Sequence, residues 1–402
     1  MGETVNRSIL VLMFCLFSVG SAEFVIAGLL PGIAAELDVS VSAAGMLISG
    51  YAIAIVLAGP AITLLTGRLP RKPLMIALMV LFTVSNAAGA LAPDYTTLMV
   101  TRVLSAFTHC TFFALSLVVG TGLVPAGRQG AAIARLAIGL NMANVLGVPL
   151  GALLGTEFGW RSTLWAVSLA GAVAVVLLTV LIPGGRQDGP PSGALAELRV
   201  LGRSKVLAAI GMSALGCGGV FTAYTFIAPL LEDVSGFGGS AVSVLLLLFG
   251  LGTFAGSAIG GRLTDRALMP SLCGLLGAVA LVLAAYSLLA ANEWTSAAGL
   301  VLFGMSFGAI LPGLQARVMR SSDIGAPTLA LAVNIAAMNI GIAFGAWLGG
   351  RVLDAGMGLQ TVVLAGAAVA TAGFLLSLVE LLRDRNRVPA PVSADPSRTA
   401  AP

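Results

Sequence analysis

The sequence predicts an all-α polytopic membrane protein, with twelve transmembrane helices in two pseudo-symmetric six-helix bundles. Bulk composition, the sidedness of charge and an internal repeat each point there. Of 402 residues, 58% are hydrophobic and only 9% are charged, and the mean hydropathy is +1.02. Soluble domains carry about a quarter charged residues. A single soluble core in a chain of this size could not cover so much apolar surface, so lipid must be the solvent for most of it. The 51 glycines fit, because small residues let membrane helices pack closely.

A bilayer core of about 30 Å takes about 20 apolar residues per helix. That ruler gives spans near 9–33, 43–66, 73–92, 96–123, 131–155 and 162–183 in the first half. The second half gives 206–230, 241–262, 271–291, 295–316, 328–349 and 359–381. The organisation expected is a bundle over 1–183, a polar linker over 184–205, a second bundle over 206–382 and a disordered tail over 383–402. The linker holds Gly-Gly-Arg and Asp-Gly-Pro-Pro, which read as loop, and the tail is rich in Pro, Ala and Ser. The first apolar run is too long for a cleaved leader and has no clear cleavage site.

Lys and Arg collect on one side of this arrangement. Eighteen of the 21 fall at the termini, the linker and the loops on the same side. Arg161 and Arg351 lie opposite, and Arg102 lies within a span. The asymmetry predicts cytoplasmic termini, and it checks the span count, since one missed helix would scramble every later loop.

The halves echo each other. Leu65-Thr66-Gly67-Arg68 after span 2 recurs as Leu263-Thr264-Asp265-Arg266 after span 8, an offset of 198. Gly147, Gly151 and Gly155 in span 5 recur as Gly341, Gly345 and Gly349 in span 11, an offset of 194. Two nearly equal offsets at corresponding spans argue for a six-plus-six duplication. Parallel six-helix halves with a binding site between them are a known transporter plan.

Several classes are excluded. Cys15, Cys110, Cys217 and Cys273 sit singly in separate apolar runs, with no disulfide or metal spacing. The net charge of +4 sits between spans and does not point to nucleic acid. GxxxxGK[ST] is absent, so ATP is not the expected drive. An enzyme would need clustered His, Asp or Glu; the chain has one histidine and, by the span assignment, one deep acid.

These residues resemble the major facilitator superfamily, specifically its twelve-span drug:proton antiporter group, from Leu10 to Leu382. Gly67–Lys72 (GRLPRK) is similar to that superfamily's basic loop motif, D-R-x-G-R-K, with Gly67 in place of the acid and Pro70 in place of the second glycine. Arg102-Val103-Leu104-Ser105-Ala106 is similar to the antiporters' R-x-x-x-G/A segment, and Gly147-Val148-Pro149-Leu150-Gly151 to their G-P-x-x-G motif. Gly159-Trp160-Arg161 follows before span 6. Ala22–Ala34, Tyr224–Gly238, Leu248–Gly256 and Gly325–Thr328 resemble bacterial chloramphenicol-resistance exporters and their sugar-efflux relatives. The resemblance implies the major facilitator fold, alternating access, export and a conformational role for Arg68, Arg71, Lys72, Gly147, Pro149 and Gly151. It also implies one for Asp265 and Arg266, whose copy of the loop alone keeps the acid.

By the span assignment, 16 of the 17 acids fall in loops, helix ends or termini, and only Glu23 lies deep. A carboxylate in hydrocarbon costs at least a few kcal/mol, so it faces a cavity or a partner and marks function. Arg102 lies about 9 Å inside the outer face, counting 1.5 Å per residue, where a pair with Glu23 is expected. His109 is seven residues after Arg102 on nearly the same helix face, with Ser105 between, and its ordinary pKa suits a proton relay. Glu23, Arg102 and His109 are therefore the proton-coupling candidates. A neutral, partly polar ligand needs aromatic faces, amides and hydroxyls in an apolar cavity. The candidates for that are Phe24, Tyr51, Phe112, Phe113, Asn141, Asn144, Phe221, Tyr224, Phe226, Asn334 and Asn339.

The expectation is a monomeric, multi-pass protein of the bacterial inner membrane, driven by the proton gradient without metal or cofactor. Its partners are protons, the lipid bilayer and a small amphiphilic substrate such as chloramphenicol. A facilitator or importer of a sugar or other metabolite is the alternative, and it shares the fold.

Overall fold

The computed structural model describes residues 2–66, 69–125, 129–182, 204–321 and 327–386. Gly67, Arg68, Arg128, most of the expected linker and residues 387–402 lie outside the described residues. The N-terminal half contains α1 (Gly2–Phe24), a 3₁₀ turn Val25–Gly28, α2 (Leu30–Glu36), α3 (Val41–Thr66), α4 (Arg71–Ala90) and α5 (Tyr95–Gly122). It continues with α6 (Gln129–Met142), a π-helical stretch Ala143–Gly147, α7 (Val148–Phe158) and α8 (Trp160–Leu181). The C-terminal half contains α9 (Ser204–Tyr224), a turn Ile227–Pro229, a π-helical stretch Leu230–Val234, α10 (Gly239–Arg266), α11 (Leu268–Leu289), α12 (Glu293–Ser321), α13 (Pro327–Asp354) and α14 (Leu359–Asn386).

Among the described residues, eleven helical segments are long and apolar enough to cross a bilayer. The short α2 and the described part of α3 pass the same test together, bent by 118°. Helix is the form lipid demands, because every backbone group must be satisfied within its own segment. Local chemistry sets the boundaries. Asp94 caps α5 by accepting from the Thr97 amide at 2.8 Å. Asn292 caps α12 through the Trp294 and Thr295 amides at 3.1 and 3.3 Å. Gly159 divides α7 from α8 at φ 81°, a backbone that favours glycine. Pro149 lacks the amide that would close a regular turn, and the π-helical stretch precedes it.

Packing partners repeat between the halves. The α6–α7 span packs on α1 as α13 packs on α9; α3 packs on α5 as α10 on α12; α4 packs on α8 as α11 on α14. The glycine series lie in the first of these contacts. A Cβ at Gly147, Gly151 or Gly155 would strike Ser21, Val25 or Leu29 of the same half. One at Gly341 or Gly345 would strike the Ala214 or Gly218 carbonyl of its own half, and one at Gly349 the Phe226 ring. Both strips therefore pack inside a half, and Gly349 alone of the six touches a side chain that reaches the seam.

The seam is made by α3 on α13 and α7 on α10. Ser49 donates to the Ala343 carbonyl across it at 3.0 Å. A Cβ at Gly250 would lie 2.7 Å from the Asn144 carbonyl oxygen, and one at Gly45 would lie 2.7 Å from Phe226. Gly239 meets Thr156 and Gly350 meets Ser42 in the same way. These contacts run from mid-span to the end of the molecule opposite both termini, so the halves are closed together there.

Two expectations are corrected. The last helix runs to Asn386, so residues 383–386 are helical rather than part of a disordered tail; Ser204 and Lys205 likewise begin α9. Glu23 is also not the one buried acid. Glu380 is 5% exposed and Arg317 8%. Arg317 donates to Glu380 at 3.2 Å and to Asp384 at 2.9 Å, and Arg383 donates to Glu380 at 3.1 Å.

Candidate functional site

Glu23 stands in the last turn of α1, where the helix gives way to the 3₁₀ turn. The change of winding leaves carbonyls without their usual partners, and Arg102 takes them. Its Nη1 donates to the Ala22 carbonyl at 2.7 Å and its Nη2 to the Glu23 carbonyl at 3.4 Å. The guanidinium also lies over the Tyr51 ring, 4.2 Å from its centroid, within cation–π range. The expected Glu23–Arg102 side-chain pair is therefore not the arrangement found: Arg102 holds the backbone beside the carboxylate.

The carboxylate faces His109 instead. Glu23 Oε2 is 3.6 Å from His109 Nε2, and His109 Nδ1 is 3.5 Å from the Tyr51 hydroxyl. Both separations are longer than a good hydrogen bond, so the three groups are apposed rather than locked. Ser105, between Arg102 and His109 on α5, accepts from the Asn86 amide at 3.1 Å and belongs to the support behind the site. Whichever ring nitrogen carries the proton, the imidazole stands between a carboxylate and a phenol. Proton transfer along this row requires both gaps to close to hydrogen-bond distance.

Glu23 also lines a cavity between the halves. α1, the 3₁₀ turn after it and α3 contribute Glu23, Phe24, Ala27, Ile48, Tyr51 and Ala52; α9 and α13 contribute Phe221, Tyr224 and Ile342. The cavity is nearly closed: its free volume is about 10 Å³, room for about one water molecule and far below the about 300 Å³ at which sites for drug-sized ligands begin. Phe24 and Phe221 meet across it with ring centroids 5.7 Å apart.

Of the ligand candidates, the structure brings Phe24, Tyr51, Phe221 and Tyr224 to this cavity. Phe112 and Phe113 are buried in the core of the N-terminal half beside Leu12 and Leu16. Phe226 packs at the seam against Gly45 and Gly349. Asn141 is exposed and Asn144 half-buried. Asn334 accepts from Ser213 at 3.0 Å. Asn339 donates to the Ile335 carbonyl at 3.1 Å, and its own Oδ1 is buried without a partner. Among the conformational candidates, Lys72 donates to the Thr179 and Ile182 carbonyls at 2.8 and 2.6 Å. Arg71 opens α4, Asp265 and Arg266 are exposed at the end of α10, and Arg68 lies outside the described residues. Among those residues no three His, Cys, Asp or Glu side chains converge as a metal site requires. The four cysteines are buried and unbridged.

The comparisons with known proteins agree with this architecture. The model of the Major Facilitator Superfamily matches residues 12–326. The chain belongs to that superfamily. It is 40% identical over 372 residues to the inner membrane transport protein YdhP of Escherichia coli K12, covering 92% of this chain and 95% of that one. It is 35% identical over 336 residues to a chloramphenicol resistance protein of Streptomyces lividans, covering 82% and 84%. Among solved structures, it matches the nucleoside transporter NupG with a TM-score of 0.73 at 13% identity, over 93% of this chain and 99% of that one. A bacterial Spinster homologue in an inward-facing state gives 0.68 at 16% identity, over 94% and 96%. This major facilitator protein is therefore a multi-pass membrane transporter, not an enzyme.

Sequence reasoning named Phe24, Phe221 and Tyr224 but missed Phe249 and Phe307 behind them, although the repeat carried the signal. The offset of 198, shared by the caps Asp94 and Asn292, carries Tyr51 onto Phe249, Arg102 onto Leu300 and His109 onto Phe307. Around Glu23, Ala22, Ile26-Ala27 and Leu29-Leu30 recur as Ala223, Ile227-Ala228 and Leu230-Leu231, an offset of 201 that carries Glu23 onto Tyr224.

Proposed function

We propose that this transporter exports a small neutral amphiphile, such as chloramphenicol, in exchange for protons by alternating access. The observation that carries the reading is the double position of Glu23, which lines the cavity between the halves and faces the His109–Tyr51 row. A carboxylate placed there can take a proton when the cavity opens to one side and release it when it opens to the other. Arg102 keeps the break in α1 in place while this happens. The similarity to a chloramphenicol resistance protein supports the choice of probe. Inward Lys and Arg put both termini in the cytoplasm of the bacterial inner membrane, which makes the closed end of the seam the outer one. A monomer, with neither metal nor cofactor, suffices for this cycle.

The test is flux in proteoliposomes with an imposed pH gradient. Wild type is expected to move chloramphenicol against its concentration as protons run down, and Glu23→Gln to lose that drive while inserting normally. Unchanged gradient-driven flux in Glu23→Gln would remove the proposed carrier. Flux that only equilibrates the compound and ignores pH would favour the metabolite-facilitator reading.

A further inference from the structure

Equivalent positions at and behind the cavity wall carry opposite chemistry in the two halves. Glu23, Tyr51, Arg102 and His109 in the first correspond to Tyr224, Phe249, Leu300 and Phe307 in the second. Apart from Leu300 the second set is aromatic, and with Phe221 it forms a box. Tyr224 stacks on Phe249 at 4.7 Å between centroids, and Phe249 lies 6.4 Å from Phe307. Phe221 stands edge-on to Tyr224 at 5.5 Å and to Phe307 at 5.8 Å. Only Phe24 reaches the box from the other half, 5.7 Å from Phe221.

We infer that this box is the ring subsite of the transporter: the ligand lays an aromatic ring against Phe221 and Tyr224 and turns its polar end toward Glu23 and Tyr51. Edge and face geometries around Phe221 suit an added ring, because aromatic pairs prefer offset or T-shaped contact. A ring sandwiched between Phe24 and Phe221 would need about 7 Å, two contact distances of about 3.5 Å. The 5.7 Å found is too short, so Phe24 fills in the closed cavity the place the ligand's ring takes when it opens. The Tyr224 side chain is buried, and among the described residues its hydroxyl makes no hydrogen bond. It is the one polar group of the box and is free to bond a ligand acceptor. Arg102 beside Glu23 balances the cavity's acid, so the arrangement favours a neutral ligand over an ion. The inference rests on the export reading and assigns parts of the ligand to halves of the protein.

Equilibrium binding to purified protein in nanodiscs tests it with two probes: chloramphenicol, and serinol dichloroacetamide, which is its polar end without the ring. The readout is the ratio of the two affinities. Wild type is expected to favour the ring-bearing probe, and Phe221→Leu to lower that ratio about fivefold, the worth of an aromatic pair beyond its area. Phe307→Leu, behind the cavity wall, should lower it less, and it keeps the test alive if the first variant does not fold. An unchanged ratio in a folded Phe221→Leu or Phe307→Leu, with wild-type proton-driven flux intact, would overturn the subsite and leave the export reading standing. If wild type binds neither probe and shows no gradient-driven flux, both fall together.

Discussion

The two halves fasten their terminus-side ends by unlike means. In the first, Lys72 caps α8 by donating to the Thr179 and Ile182 carbonyls, which a helix ending there leaves free, and its charge suits the negative end of the helix. In the second, the repeat puts Pro270 where Lys72 stands, and α14 runs on to Asn386, so the carbonyls at the matching positions are bonded within the helix. Arg317 instead reaches from α12 to Glu380 and Asp384. A similar contrast holds at mid-span, a Glu23–His109–Tyr51 row on one side and an aromatic box on the other. The two halves share the backbone scheme, its packing partners and the Asp94/Asn292 N-caps, and differ in side-chain chemistry.

The largest effect should come from breaking the two fastenings separately. Arg317→Ala leaves Glu380 buried with only Arg383, and the loss of a buried pair costs about 3–5 kcal/mol. Lys72→Ala removes hydrogen bonds to carbonyls, and hydrogen bonds to charged groups are worth about 1.5–3 kcal/mol. Thermal unfolding in detergent should therefore show the Arg317 variant well below the Lys72 variant; the reverse order would remove the contrast.

A middle-sized effect lies in the glycine strips. A methyl at Gly345 meets the Gly218 carbonyl and lies 2.8 Å from the Thr222 amide nitrogen, whereas at Gly155 it meets the far end of the Leu29 side chain. Backbone cannot step aside and a leucine methyl can. Gly345→Ala should cost about 1–3 kcal/mol, the usual range for overpacking, and Gly155→Ala clearly less, measured by the same unfolding. Equal losses would mean that the two strips are equally rigid.

The smallest effect separates the caps. The Thr97 amide and hydroxyl bonded to Asp94 hold its carboxyl below the usual range. That contribution is complete above the unfolded value, about 3.9, and fades as pH falls through the lower folded one. Asn292, the matching cap, does not titrate. Asp94→Asn should therefore leave stability at pH 7 nearly unchanged and flatten its decline below about pH 4, read by unfolding midpoints across pH. An undiminished decline would place the acid sensitivity elsewhere.

The spans were legible because run length and charge sidedness each mark them, and Glu23, Arg102 and His109 stood out as rare polar residues in apolar runs. Their pairing was not legible. It depends on the change of winding at Val25–Gly28, which frees the carbonyls that hold Arg102; Pro31, four residues after Ala27, marks a break there but not which side chain takes those carbonyls. Arg317 and Glu380 looked like helix-end charges; their burial comes from α12 and α14 bringing them together across a sequence separation of 63. Phe249 and Phe307 were within reach of the repeat, but as single aromatics in apolar helices they are indistinguishable from ordinary packing residues until the offset is carried position by position.

Ligand-induced proton release bears most directly on the division between a proton half and a ring half. Purified wild type in weakly buffered detergent should release protons when chloramphenicol is added. Glu23→Gln should bind the compound and release none, and Phe221→Leu should need more compound yet release the wild-type amount at saturation. Release that survives Glu23→Gln, or that is missing from Phe221→Leu at saturation, would contradict the assignment of the two tasks to the two halves.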